Sequence, residues 1–238
     1  MTIAMSWPLQ PDGDGHAWGP PAPPSRLVRA LGGWRYQREG QDPGPLLPDD
    51  AVTGARWQLR LGSGAVVARL EPTILLVPGG HLDLWLGLPL TMVLTLREGG
   101  PVLDELAPDL RRTVLGAVDR GLVLPCANAV PLEGPEDPAL PATWYAVRVR
   151  ARNTGAEAAV LRRVPVQEPR LSLWRKGDRV AAGTVGVTLA GDQSAEARLV
   201  AAEPPAGFER VGEPGGALEE MAFSWLHDAA RHRVEFQP

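Results

Sequence analysis

Between Thr143 and Val166 the chain reads TWYAVRVRARNTGAEAAVLRRVPV. Tyr145, Val147 and Val149 fall on one side of an extended chain, and Arg148, Arg150 and Arg152 on the other. A period of two belongs to a strand with one dry face and one wet face. Asn153, Thr154 and Gly155 then supply turn chemistry, because Asn and Gly accept the positive φ of a tight reversal. A second apolar run, Ala158 to Val166, comes at once. The pattern predicts a hairpin with a basic stripe on its wet face, extended across the hairpin by Arg162 and Arg163.

Most other apolar segments read as strands of similar length. Trp57, Leu59 and Leu61 alternate with Gln58 and Arg60, Gly62-Ser63-Gly64 turns the chain, and Ala65 to Leu70 returns. A second hairpin is expected there. Leu82, Leu84 and Leu86 alternate with Asp83 and Trp85, and Leu90 to Leu96 starts afresh after Pro89. Strands are expected over Arg111–Leu115 and Leu122–Ala127, with a short turn of helix near Asp104–Leu106. Later strands come with turn signals every 8–12 residues, which is the rhythm of a sandwich.

The predicted fold is mainly β, an antiparallel β-sandwich, one large or two small. Residues 1–50 are dense in Pro and Gly, which excludes continuous helix or a central strand across those points. They are expected to form an arm packed on or flanking the body. Residues 51–130 make a β-rich first half and 142–210 a β-sandwich second half. Pro131 to Pro141 between them reads either as a domain boundary or as a long crossover. Over 217–232, Leu218, Met221, Ala222, Trp225, Leu226 and Ala229 form a helical stripe, with acids in the first turn and bases in the last. That predicts one amphipathic C-terminal helix, docked on a sheet face or offered to a partner.

Charge excludes more than it suggests. The chain has 24 basic and 28 acidic side chains, giving no general pull toward nucleic acid or anionic membrane. It has eight Trp against two Tyr and three Phe. Trp buries much area but wants a partner for its N–H, so these residues read as sheet anchors or as binding-surface residues. With one cysteine, Cys126, no internal disulfide can form. The N-terminal stretch lacks the basic and apolar regions of a signal peptide, and no run of about 18 apolar residues spans a membrane. A soluble cytoplasmic protein is expected.

Few residues invite chemistry. Asp12-Gly13-Asp14-Gly15 opens like a calcium loop but lacks the later carboxylates and the terminal Glu. No phosphate loop, dinucleotide fingerprint or nucleophile elbow occurs, and no cofactor is expected. His81 and Asp83 point to the same side of one strand, where they suit a metal, a ligand or a proton relay; a polar strand end is the plainer reading. Arg148, Arg150 and Arg152 need either a neighbouring carboxylate row or an anionic partner, since facing like charges repel.

From about Trp57 to Phe208 the chain resembles domain-of-unknown-function family 432. The resemblance rests on Glu71-Pro72, Leu88-Pro89, Thr113-Val114-Leu115-Gly116, Gly121-Leu122-Val123 and the strand Val147–Asn153 with its closing Asn. It implies a β-rich domain and no established activity. The expected function is a non-catalytic binding or assembly module, engaging a protein partner or a second copy through Arg148, Arg150 and Arg152 or through the C-terminal helix. The alternative is a small-ligand or metal-dependent enzyme with its site near His81 and Asp83.

Overall fold

The structure, a computed structural model, describes residues 2–8, 16–17, 25–38, 44–53, 55–96, 100–115, 122–190, 194–200, 203–212 and 223–226. It is mainly β, with antiparallel and mixed sheets. In chain order the strands are β1 (Thr2–Pro8), β2 (His16–Ala17), β3 (Ser25–Ala30), β4 (Gly33–Arg38), β5 (Leu46–Leu47), β6 (Arg56–Arg60), β7 (Ala65–Leu76), β8 (His81–Pro89), β9 (Thr91–Thr95) and β10 (Val102–Leu106). They continue as β11 (Arg111–Leu115), β12 (Leu122–Leu132), β13 (Trp144–Asn153), β14 (Ala159–Gln167), β15 (Leu173–Lys176), β16 (Arg179–Ala190), β17 (Ser194–Val200), β18 (Glu209–Gly212) and β19 (Phe223–Leu226). A five-residue helix, α1 (Asp49–Thr53), and one turn of 3-10 helix at Glu168–Arg170 complete the described elements. Among the described residues no helix is long and apolar enough to cross a membrane.

Two compact units divide the chain, and neither is contiguous. The smaller takes Thr2–Leu61 and Leu90–Pro108; the larger takes Gly62–Pro89 and the chain from Asp109 onward. The stretch 131–141 lies inside the larger unit.

The smaller unit holds two sheets, in the orders β1-β6-β9-β10 and β2-β3-β4-β5. Trp57, Leu59, Met92 and Leu94 are buried, as alternation on β6 requires. The Tyr36 hydroxyl on β4 donates to the Asp104 carboxylate on β10, and Arg38 pairs with the same carboxylate at 3.3 Å. The described parts of the Pro/Gly-rich first 50 residues are thus mostly short strands, and β1 sets Trp7 in register with Trp57. The helical turn expected near Asp104–Leu106 is a strand, because the ladder to β9 satisfies its backbone where one isolated turn would satisfy almost none of it.

The larger unit is one mixed sheet in the order β14-β7-β12-β8-β13-β16-β15-β18, with β11 on β12 and with β17 and β19 beyond β16. Two of its pairings, β7 with β12 and β13 with β16, are parallel. The strand β13 lies between β8 and β16, and Tyr145, Val147 and Val149 on its dry side are fully buried.

Both expected hairpins are absent. A strand has two edges, and those of β13 are taken by β8 and β16, so β14 pairs with β7 instead. The reversal between them is real and is governed by Asn153. Its Nδ2 donates to the carbonyls of Leu76 at 2.9 Å and Glu157 at 2.6 Å, while its Oδ1 accepts the Gly155 N–H at 2.9 Å. These bonds steer the chain toward β7 rather than back along β13. Likewise β6 pairs with β1 and β9, and β7 with β12 and β14; the glycines at 62 and 64 carry the chain from one unit to the other. Of the helix expected over 217–232, only Phe223–Leu226 is described, and it is a strand paired with Ser194–Ala197. The free edge of β17 offers these residues a ladder. The remainder of that segment lies outside the described residues.

Candidate functional site

The register of the larger unit brings the two sequence candidates, the His81–Asp83 pair and the Arg stripe, onto one sheet face. Arg148 stands between Trp85 and Thr184, Arg150 between Asp83 and Gly186, and Arg152 between His81 and Thr188. The next strand continues the rows: Thr184 faces Val200, Gly186 faces Arg198, and Thr188 faces Glu196. Cross-strand neighbours share a face, so these rows form a grid across β8, β13, β16 and β17.

The lower part of the same face is covered. Leu132, Leu140 and Ala146 are buried together, with Val130, Trp144 and Trp85 packed on them. The turn-rich stretch 133–143 therefore folds back on the sheet. A Cβ at Gly87 would meet Leu140 at 3.2 Å and Trp144 at 3.4 Å, which explains the glycine beneath it. A second cluster gathers Trp174, Ala181 and Phe208, again against Trp85. Trp85 thus marks where the covered part of the face ends. Trp57 and Trp174 are buried anchors, and Trp85 and Trp144 are partly buried ones.

Above Trp85 the face is open to water, and its electrostatics centre on Asp83. Arg148 grips that carboxylate with both arms, Nε to Oδ1 and Nη2 to Oδ2, each at 2.7 Å. Arg150 Nε adds a third bond to Oδ2 at 3.3 Å. The Arg148 bonds hold the Asp83 carboxyl below the usual carboxylate range, against a smaller opposing effect of burial. Arg148 also lies over the Trp85 ring at 5.9 Å, near the outer limit for cation–π attraction.

A metal ion fits this donor set poorly. Both Asp83 oxygens already accept guanidinium N–H groups, and two guanidinium charges stand beside any cation placed there. Among the described residues no third His, Cys, Asp or Glu joins His81 and Asp83.

Two hollows flank Arg150. One, of about 370 Å³, is lined by Trp85, Arg148, Arg150, Thr184, Glu203 and Pro205, among others. The other, of about 330 Å³, lies around Asp83, Arg150, Arg152, Gly186, Thr188 and Arg198. Sequence reasoning missed Arg198, whose alternation with Ala197 and Leu199 marks only a wet strand face. Its approach to Arg150 is set by pairing, which no local pattern reveals. Arg162 and Arg163 do not extend the stripe, since β14 pairs elsewhere; Arg163 instead donates to the Val114 carbonyl at 2.8 Å.

A separate polar group lies in the core. The Tyr145 hydroxyl donates to Glu168 Oε1 at 2.8 Å, and the Gly62 N–H also donates to this carboxyl. Burial outweighs both bonds and pushes Glu168 up to about 7. Glu168 reads as exposed in the sequence Gln167-Glu168-Pro169-Arg170. The one usable signal was Tyr145 on a dry strand face, because a buried phenol seeks a partner.

The chain matches no protein-family model, no curated protein and no solved structure.

Proposed function

We propose that the protein is a non-catalytic binding or assembly module whose working surface is the open sheet face carrying Arg148, Arg150 and Arg152. One observation carries this reading: Arg148, Arg150 and Arg152 stand in one row on that face, and the first two share a single carboxylate, Asp83. Among the described residues no carboxylate lies within ion-pair distance of Arg152 or Arg198. Arginines held outside ion pairs on an exposed face attract anions, and their geometry selects among them. The partner is an acidic protein segment or another anionic ligand, taken from the surrounding soluble, cytoplasmic phase.

The larger unit is read as an antiparallel β-sandwich with mixed additions. In support, β13 and β14 do not pair, yet Tyr145, Val147 and Val149 on one and Leu161, Val164 and Val166 on the other are all buried. Two apolar strand faces that share no ladder bury each other most simply when stacked. The resemblance to domain-of-unknown-function family 432 fits such a body.

The test is retention on a polyglutamate resin along a salt gradient. Arg150→Ala with Arg152→Ala should elute at clearly lower salt than the wild type. The charge-matched pair Arg111→Ala with Arg112→Ala, two exposed residues at the start of β11, should shift far less. Equal shifts would mean that net charge alone acts, and the reading would be lost.

A further inference from the structure

The hollow around Gly186 narrows the ligand class, and its assignment rests on the binding-face reading of the Arg stripe. Arg150 and Arg198 are both in register with Gly186, one on each neighbouring strand. Their backbones are therefore two strand spacings apart, about 10 Å. Arg152 lies two residues further along, about 7 Å from Arg150. Three long cationic side chains thus bound one small depression from two sides.

The floor is low because position 186 has no side chain. A Cβ there would stand 2.7 Å from Val200 Cγ2. Thr188 borders the same hollow and accepts a long 3.4 Å contact from Arg152 Nε, which leaves its own O–H free to donate. Asp83 also borders the hollow, but its oxygens are held chiefly by Arg148 with one longer bond from Arg150, while Arg152 and Arg198 stand outside any ion pair among the described residues. At about 330 Å³ it falls at the small end of ligand sites.

We propose that this hollow binds a small dianion of the phosphate monoester class, gripped by Arg150, Arg152 and Arg198 and by the Thr188 hydroxyl over Gly186. A phosphate group places two charges on one centre, where three guanidinium groups from two sides can reach it together. A dicarboxylate spreads its charges over two centres and matches so compact a hollow less well. No bond is made or broken in the ligand.

The experiment is calorimetric titration of the full chain with inorganic phosphate, and separately with succinate, at fixed ionic strength. Phosphate should bind saturably at one site and more tightly than succinate. Arg198→Ala and Arg152→Ala should each weaken phosphate at least about tenfold, the scale of one lost charge-assisted contact. Arg112→Ala should leave it unchanged. All three residues are exposed, so circular dichroism should show an intact fold in each variant. Absence of saturable phosphate binding at millimolar concentration, tighter succinate binding, or an Arg198→Ala variant with wild-type affinity would each overturn the proposal. If polyglutamate retention still depends on Arg150 and Arg152 in that case, the face remains a binding surface and only its small-ligand assignment fails. If neither depends on them, both fall.

Discussion

The Glu168 carboxyl and the Tyr145 hydroxyl meet inside the larger unit at 2.8 Å, each almost sealed from water. In the unfolded chain Glu168 titrates near 4.5, and in the fold near 7. Between those values the folded state holds a proton that the unfolded state has released. Its contribution to stability is complete below pH 4.5 and is lost as pH rises to about 7. The full swing is on the order of 3 kcal/mol. Glu168→Gln cannot ionise, and with its oxygen toward the Gly62 N–H its amide N–H can donate to the Tyr145 hydroxyl oxygen, as a protonated carboxyl can. Denaturant titrations should therefore find the variant close to wild type at about pH 4.5 and more stable than it at about pH 8. A wild-type advantage at the higher pH would refute the assignment.

Gly62 should not tolerate even a methyl group. A Cβ there would collide with Glu168 Oε2, and that carboxyl is held in place by Tyr145. Gly62→Ala should cost about 1–3 kcal/mol in denaturant unfolding, the usual scale of overpacking. Combining it with Glu168→Ala should recover part of that loss, because the clash partner is gone.

Asn153 is buried and uses both ends of its amide. Asn153→Ala should lower stability by about 2–4 kcal/mol, since two carbonyls and one N–H lose their partner. Asn153→Asp should be no milder at neutral pH, because a carboxylate cannot donate to the carbonyls of Leu76 and Glu157. Thermal unfolding of the two variants side by side checks this ordering.

Asp83→Asn should separate stability from binding. The Arg148–Asp83 pair is substantially exposed, at 35% and 41% of the two side chains. Exposed pairs contribute little, so denaturant unfolding should register a loss of less than about 1 kcal/mol. The open face gains a net positive charge, and the variant should elute from polyglutamate at higher salt than the wild type. Lower-salt elution would show that Asp83 orders the arginines for binding.

Alternation was legible in the sequence, and pairing was not. The dry and wet sides of β13 follow from Tyr145 to Arg152 alone, and each expected site residue on that strand and on β8 is where its parity places it. What escaped is long-range. Asn153-Thr154-Gly155 does reverse the chain, but whether the next strand pairs with the last one depends on whether an edge is free. The pairings of β13 with β8 and with β16, both far from it in sequence, decided that question. The candidate site shares this character. The His81–Asp83 pair and the Arg stripe were each visible, whereas their adjacency required the register of β8 on β13. Arg198 and Gly186 gained meaning only once β17 lay beside β16. Phe223–Leu226, the described part of the stripe expected over 217–232, show the converse: a local helical preference there yields to the vacant edge of β17.

The strand β8 ends at Pro89 and β9 begins at Thr91, so the chain passes from one unit to the other within two residues. Dissection by truncation is consequently a poor tool for this molecule. A fragment starting at Asp109 would hold the arginines of β13 yet lack β8, and with it Asp83, Trp85 and a whole flank of hydrogen bonds. The basic face exists only where two distant stretches of polypeptide lie side by side, so point substitutions in the uncut chain are the sound way to interrogate it.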